Sequence, residues 1–319
     1  TINYTSGSTG MPKGCVHTQR ELIYAAAAQQ LSFPRETGSV RFGFLPSFWI
    51  AGQSMNLLQP LVSGLTVRMA SRWNTEEFLD AVEHDTIENA VLPVDCIDDV
   101  IAHPRSAGID FTSLRHTTGL SLIRKVNSDY RRRWRELTGS TLYFGGYGST
   151  ETIAGTTTIG MDHDDFDLQS LPPLFCGLPV PGTEFAVCDP ETGVPVPLGV
   201  SGEIWVRGPS VFRRYWNVER SPLTADGWFR TGDAGVLDED GYVHFQGRFK
   251  EMLKVRGHER LPGRDRGRHR AAARRPAVLG GRCRDPHLGE KPVAFVRTTP
   301  GLDAATAAER LAEACRARL

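Results

Sequence analysis

Tyr4-Thr5-Ser6-Gly7-Ser8-Thr9-Gly10-Met11-Pro12-Lys13-Gly14 is the stretch on which the reading of this chain turns. Its glycines let the backbone bend sharply and bring N–H groups close to a ligand. Successive N–H groups in such a loop form a concavity for anions. Four Ser or Thr hydroxyls add donors, and Lys13 adds a mobile point charge suited to phosphate. Pro12 fixes one backbone angle beside that lysine. The stretch is not a Walker A loop, which needs glycine before the lysine and Ser or Thr after it. Here Pro12 precedes Lys13 and Gly14 follows. A Gly/Ser-rich surface loop has the same composition, so the rest of the chain must decide.

The 319 residues carry 37 basic and 37 acidic side chains. Zero net charge argues against bulk electrostatic binding to nucleic acid or an acidic membrane. Hydrophobic residues make up 40%, enough for one large domain and a smaller one. Cys15, Cys96, Cys176, Cys188, Cys283 and Cys315 show no Cys-x-x-Cys spacing. They read as reduced thiols of a cytoplasmic protein. There is no spanning apolar run and no signal peptide. The chain starts at Thr1 and runs straight into its best motif, which implies a fragment.

Downstream, helices are expected at Glu21–Leu31, Ala51–Leu61, Thr75–His84, Asp95–Ala102 and Lys125–Leu137. The first is expected to begin just past the loop, its positive end facing the anion. Asn74 suits a cap, with Glu76 and Glu77 behind it. Strands are expected at Val40–Leu45, Leu65–Met69, Asn89–Leu92 and Thr141–Phe144. Such alternation implies an α/β architecture with a parallel sheet. From about residue 175 the texture turns β-rich. Strands at Glu184–Cys188 and Glu203–Val206 are followed by a hairpin across Asp240-Gly241.

Three further motifs follow in order. Tyr147-Gly148-Ser149-Thr150-Glu151 offers a ring, hydroxyls and a carboxylate after a flexible turn. Glutamate in a first helical turn is also common for dipole reasons alone. Thr231-Gly232-Asp233 offers a carboxylate able to accept from both ribose hydroxyls, or a plain turn aspartate. Gly247-Arg248-Phe249-Lys250-Glu251-Met252-Leu253-Lys254-Val255-Arg256-Gly257 is a basic run broken by apolar residues. It suits a solvated strand face or an edge over phosphates.

In this order, and over nearly the whole chain, the four motifs resemble the acyl-adenylate-forming (AMP-binding) superfamily, most of all fatty-acyl-CoA synthetases. The resemblance implies that Thr5, Ser6, Gly7, Ser8, Thr9, Gly10 and Lys13 grip the ATP β- and γ-phosphates. It implies that Tyr147 stacks on adenine, that Gly148 beside it belongs to the nucleotide site, that Thr150 meets the α-phosphate and that Glu151 holds Mg²⁺. Asp233 corresponds to the ribose acceptor and Arg248 to its basic companion. Lys250 falls at a hinge between domains, and Lys254 and Gly257 in the segment lining the thioester-forming site. Trp49, Gly119, Phe144, Gly145 and Gly146 border the acyl pocket, where glycine leaves room; many members carry His at the position of Trp49. Lys13, Thr150, Glu151, Arg248 and Lys254 are the implied catalytic set.

The implied chemistry uses ATP, Mg²⁺ and coenzyme A. A carboxylate attacks the α-phosphorus, pyrophosphate leaves, and a thiol takes the acyl group. A fatty acid is favoured, with an aryl acid as the alternative. An adenylation domain serving a carrier-protein thiol is a second reading, and a nucleotide-binding remnant without turnover a third. The implied location is cytoplasmic, with peripheral membrane association open and no integral segment.

The implied domains are residues 1–249, a large domain lacking its N-terminal part with a β-rich subdomain at about 175–249, and residues 250–319, a partial C-terminal α+β domain. The resemblance also implies an adenylation lysine beyond Leu319, and so weak or absent adenylation. Arg260-Leu261-Pro262-Gly263-Arg264-Asp265-Arg266-Gly267-Arg268-His269 departs from the pattern. Its codons, read one nucleotide out of phase, can encode Val-Ser-Pro-Ala-Glu-Ile-Glu-Ala-Val, the superfamily's text. A frameshifted block at 260–284 is therefore expected in preference to a nucleic-acid arm, and resequencing the DNA decides between them. Asp285–Val296 returns to the pattern.

Overall fold

A computed structural model of the chain describes residues 1–5, 11–120, 126–144, 146–157, 175–249, 253–255, 258–260, 278–285, 289–296 and 308–309. It resolves into two compact units. One comprises Thr1–Thr231 with Gly235–Phe245; the other takes Gly232–Ala234 and the described residues from Gln246 on.

The first unit opens with β1 (Ile2–Tyr4) and β2 (Gly14–Val16), an antiparallel pair, then α1 (Gln19–Ser32). Next come β3 (Val40–Gly43), α2 (Ile50–Gln53), a π-helical turn over Ser54–Leu58, α3 (Gln59–Ser63) and β4 (Thr66–Met69). α4 (Thr75–His84), β5 (Asn89–Pro93), α5 (Val94–Ala102), β6 (His116–Leu120), α6 (Ser128–Thr138) and β7 (Thr141–Phe144) follow. The sheet order is β4-β3-β5-β6-β7, every pair parallel, so the expected α/β layer is present. Helices lie between consecutive strands, as parallel crossovers require.

Beyond it lie β8 (Thr156–Thr157), β9 (Leu178–Pro179), β10 (Glu184–Cys188), β11 (Gly202–Arg207), β12 (Arg214–Tyr215), β13 (Phe229–Leu237) and β14 (Val243–Arg248). β10-β11-β13-β14 form one sheet, while β12 joins β2 instead. The Asp-Gly turn is tied by Asp238, whose Oδ1 accepts from the amides of Asp240 and Tyr242. The second unit has β15 (Leu253–Val255), β16 (His258–Arg260), β17 (Val278–Asp285) and β18 (Gly289–Val296) in the order β16-β15-β18-β17. Residues 261–277, most of the block read as frameshifted, lie outside the described residues. No helix among the described residues is long and apolar enough to cross a membrane.

Local chemistry explains where elements start. Asn74 Oδ1 accepts from the Glu77 amide at 3.0 Å, and α4 runs Thr75–His84 as its sequence indicates. Its Phe78, Leu79, Ala81 and Val82 are buried, a helical-period face on the sheet. α6 differs from expectation. The described helix starts at Ser128, because Asn127 caps the Tyr130 amide, and Lys125 lies outside the described residues.

Two further expectations are corrected. The helix expected over Ala51–Leu61 is interrupted by the π turn. In π register the Met55 carbonyl would accept from residue 60, and Pro60 has no N–H. Buried Arg41 supplies the missing donor, with Nη1 at 2.6 Å from the Met55 oxygen and 2.9 Å from Gln59 Oε1. α1 spans the expected Glu21–Leu31 and starts at Gln19, with β2 between it and the loop, but its N-terminal end does not carry the role expected of it. Its N-terminus is closed by a capping box between Thr18 and Glu21. The Glu21 carboxylate thus meets the helix dipole that was expected to face a phosphate.

β6 carries His116, which burial and the nearby Arg35 and Arg115 hold down to about 4 from the ordinary 6.5. The unfolded chain takes the proton near pH 6.5, whereas the folded chain refuses it until about 4. Stability is therefore lost as pH falls through that window. Replacing His116 with glutamine should flatten the fall in thermal midpoint between pH 6.5 and 4. An equally steep fall in the variant would assign the loss to other groups.

Candidate nucleotide site

The glycine-rich loop hangs between β1 and β2, whose pairing places Tyr4 opposite Gly14. Its neck is closed by Thr5. The Thr5 amide donates to the Lys13 carbonyl at 2.9 Å, and the Lys13 amide donates to Thr5 Oγ1 at 3.1 Å. Gly14 is needed there, since a Cβ would sit 2.8 Å from Ile2 Cγ2. Ser6, Gly7, Ser8, Thr9 and Gly10 lie outside the described residues. Lys13 Nζ stands 5.0 Å over the centroid of the Tyr215 ring. An exposed cation–π contact contributes only about 0.5–1 kcal/mol, so it does not lock the ammonium in place.

The Tyr147–Glu151 stretch forms a tight turn. The Ile153 amide donates to the Ser149 carbonyl at 2.9 Å, the Ser149 amide to Thr152 Oγ1 at 3.0 Å, and the Glu151 amide to Ser149 Oγ at 3.2 Å. Ile153 closes it with φ +60°, a costly value for a β-branched residue. The Tyr147 ring is buried against Phe185 and Phe245, each with centroids 6.0 Å away.

Two residues not singled out from the sequence hold this turn. The Tyr215 hydroxyl donates to Glu151 Oε1 at 2.9 Å. His17 Nε2 lies 2.7 Å from the Thr150 carbonyl. A carbonyl can only accept, so Nε2 bears the hydrogen. Burial lowers the His17 pKa and keeps the ring neutral. Nearby Cys15 is buried, and burial together with Glu151 pushes its thiol pKa well up, so it is an inert packing residue. Neither Tyr215 nor His17 announces itself in sequence: Tyr215 sits in a two-residue strand, and His17 lies past the end of a three-residue one.

In the second unit Asp233 is buried, and Arg248 Nε lies 3.1 Å from its Oδ1. Gly232 precedes it inside β13, not in a turn, at φ +72°, a value glycine adopts without steric cost. Lys254 stands in β15 opposite Glu259. Lys250 and Gly257 lie outside the described residues.

The residues expected around an acyl group are less uniform. Trp49 is half-buried at the start of α2 and packs on a cluster of Leu22, Ala25, Ile50 and Ile153, beside the Glu151 turn. Gly146 has φ +92°, and Phe144 ends β7. Gly145 lies outside the described residues. Gly119 lies in β6, where an added Cβ would meet Val126 Cγ2 at 2.7 Å and Leu142 Cδ1 at 3.3 Å, so its missing side chain lets those two core residues approach the strand.

Comparison with known proteins follows the same lines. A 4-coumarate–CoA ligase-like protein 4 of Oryza sativa subsp. japonica is 31% identical over 268 residues, 82% of this chain and 47% of that protein. A feruloyl-CoA synthase of an Amycolatopsis species is 32% identical over 265 residues, 82% of this chain and 52% of that protein. The crystal structure of ATP-bound MatB from Rhodopseudomonas palustris superposes with a TM-score of 0.81 at 26% identity, over 98% of this chain and 61% of that one. The chain thus spans about half the length of the curated relatives it matches. The profile of the family described as AMP-binding enzyme matches residues 1–216, taking in the loop and the Glu151 turn, and the chain belongs to that family.

Proposed function

We propose that this chain is the nucleotide-handling part of an ATP-dependent acid–thiol ligase that converts an aryl carboxylic acid to its coenzyme A thioester through an acyl-adenylate. The reading rests most on one observation: the phosphate-loop lysine and the Glu151 carboxylate meet the face and the hydroxyl of one tyrosine. That contact pattern supports reading Lys13 as a cation for phosphate and Glu151 as a carboxylate for a metal.

In this reading the loop and Lys13 take the β- and γ-phosphates, and Thr150 the α-phosphate. Tyr147 and Gly148 border adenine, Asp233 accepts from the ribose diol, and Arg248 steadies Asp233. The donor set suits Mg²⁺. Glu151 Oε2 has no partner among the described residues, and those residues hold no group of three or more His, Cys, Asp or Glu that could bind a metal. A hard cation held by one carboxylate, phosphates and water is the usual Mg²⁺ arrangement. Bound there, the ion would neutralise phosphate charge. The protein's own part is positioning and charge stabilisation while the substrate carboxylate attacks and pyrophosphate leaves. Coenzyme A then attacks the acyl carbon and AMP leaves, with Lys254 and Gly257 in the segment serving that step and Lys250 at the hinge. A cytoplasmic setting accords with the free, buried thiols of Cys15, Cys96 and Cys188.

The apolar segments alone favoured a fatty acid. The relatives named for coumarate and ferulate favour an aryl acid, and they favour free coenzyme A over a carrier-protein thiol.

Calorimetric titration with non-hydrolysable acyl-AMP analogues tests the reading. A hydroxycinnamoyl analogue should bind at least about tenfold more tightly than short- or long-chain fatty analogues, a gap of about 1.4 kcal/mol. Tighter binding of a fatty analogue would restore the fatty-acid reading. Binding of none would mean the chain is a remnant that does not form the site.

A further inference from the structure

We propose that Tyr215 is the positioning residue of this site: it orients the Glu151 carboxylate for a divalent cation and keeps Lys13 from pairing with it. The proposal rests on the reading of Glu151 as the metal carboxylate.

The segment around Tyr215 grips Glu151 twice. The Phe212 amide donates to the Glu151 carbonyl at 2.8 Å, and the Tyr215 hydroxyl donates to Oε1 at 2.9 Å. The tyrosine is itself fixed on three sides. β12 pairs with β2, with Tyr215 opposite Cys15. The Trp216 amide donates to the Gly14 carbonyl at 2.7 Å. The phenol ring packs edge-on to Phe212 with centroids 4.7 Å apart. One short strand therefore ties the loop neck and the Glu151 turn into a single frame.

The choice of a phenol has two consequences. A neutral O–H fixes a carboxylate without cancelling its charge, unlike a guanidinium or ammonium, and the negative charge stays available to a cation. Outer-shell donors of this kind orient metal ligands and commonly govern affinity. The ring face also gives Lys13 a place to rest. No ion pair joins Lys13 to Glu151 among the described residues, although both act electrostatically on Cys15. Without the ring the ammonium could collapse onto the carboxylate, occupying the phosphate and metal groups together.

The test is ATP binding by calorimetry, with and without Mg²⁺, on the wild-type chain and on Tyr215→Phe, Tyr215→His and Tyr215→Leu. Tyr215→Phe should raise the apparent Mg²⁺ dissociation constant about tenfold and change metal-free ATP affinity far less, since the ring that holds Lys13 is kept. Tyr215→His, which keeps an N–H donor on a ring, should recover most of the Mg²⁺ response. Tyr215→Leu should lose both the Mg²⁺ response and part of the metal-free affinity. In a Glu151→Gln background the Tyr215→Phe effect should vanish, a coupling that general damage to the fold would not produce. A Mg²⁺ response in Tyr215→Phe equal to wild type overturns the proposal alone. A wild-type chain that binds ATP equally with and without Mg²⁺ overturns the metal reading of Glu151 and the proposal with it.

Discussion

Replacing Asp233 with alanine is expected to weaken binding of AMP and of acyl-AMP analogues by about 100-fold, with little change in thermal stability. A hydrogen bond to a charged group contributes about 1.5–3 kcal/mol, and a ribose diol offers two donors to one carboxylate. Losing both therefore exceeds the roughly 2.8 kcal/mol that corresponds to 100-fold, at about 1.4 kcal/mol per decade. Stability should respond less. Breaking a fully buried ion pair is strongly destabilising because a charge is left stranded. Here only Asp233 is buried: the Arg248 side chain is 42% exposed, so it returns to water when its partner goes. The diagnostic comparison uses 2′-deoxy and 3′-deoxy AMP analogues. The wild type should discriminate against them, and Asp233→Ala should not. Retained discrimination in the variant would move the ribose contact to another residue.

Much of the α/β layer could be read from the sequence, because its signals are local. α4 combines a side-chain cap at Asn74, acidic residues in the first turn and a helical apolar period, and its bounds follow. β7 and β10 are short apolar runs bounded by turn residues. Where the reading failed, the determinant lay far away in sequence. The π turn depends on Arg41, in β3, giving the Met55 carbonyl the donor that Pro60 lacks. β1, β2 and β12 are two or three residues long, and only their mutual pairing makes them strands. For the same reason Tyr215 went unread: its significance lies 64 residues away at Glu151. Gly119 shows what residue type leaves open: glycine can open space for a ligand or admit a close neighbour, and the approach of Val126 is visible only in three dimensions.

Gly148 is the converse case, a glycine whose necessity can be argued from contact distances. Replacing it with alanine is expected to cost about 1–3 kcal/mol of stability by overpacking and to weaken Mg²⁺-dependent ATP binding by about 10–100-fold, the range seen when metal ligands lose their support. The added Cβ would lie 2.6 Å from the Ile153 carbonyl oxygen and 3.4 Å from Ala154 Cα. Both are backbone atoms, so no rotamer change relieves the clash. The turn cannot easily yield. Ile153 already sits at φ +60°, a conformation costing roughly 1–2 kcal/mol for an L-residue, and its amide is held by Ser149. The strain must pass to Thr150 and Glu151, whose positions are set by His17 and Tyr215. Gly139→Ala is the matching control. Gly139 ends α6 at φ +72° with nothing within 4 Å of an added Cβ. It should cost about 1–2 kcal/mol of backbone strain and leave ATP binding untouched. If both variants lose stability but neither loses Mg²⁺-dependent binding, the geometry of the Gly148–Ile153 turn does not govern the site. If Gly148→Ala alone loses it, the close approach of residues 148 and 153 is what holds the Glu151 carboxylate in place.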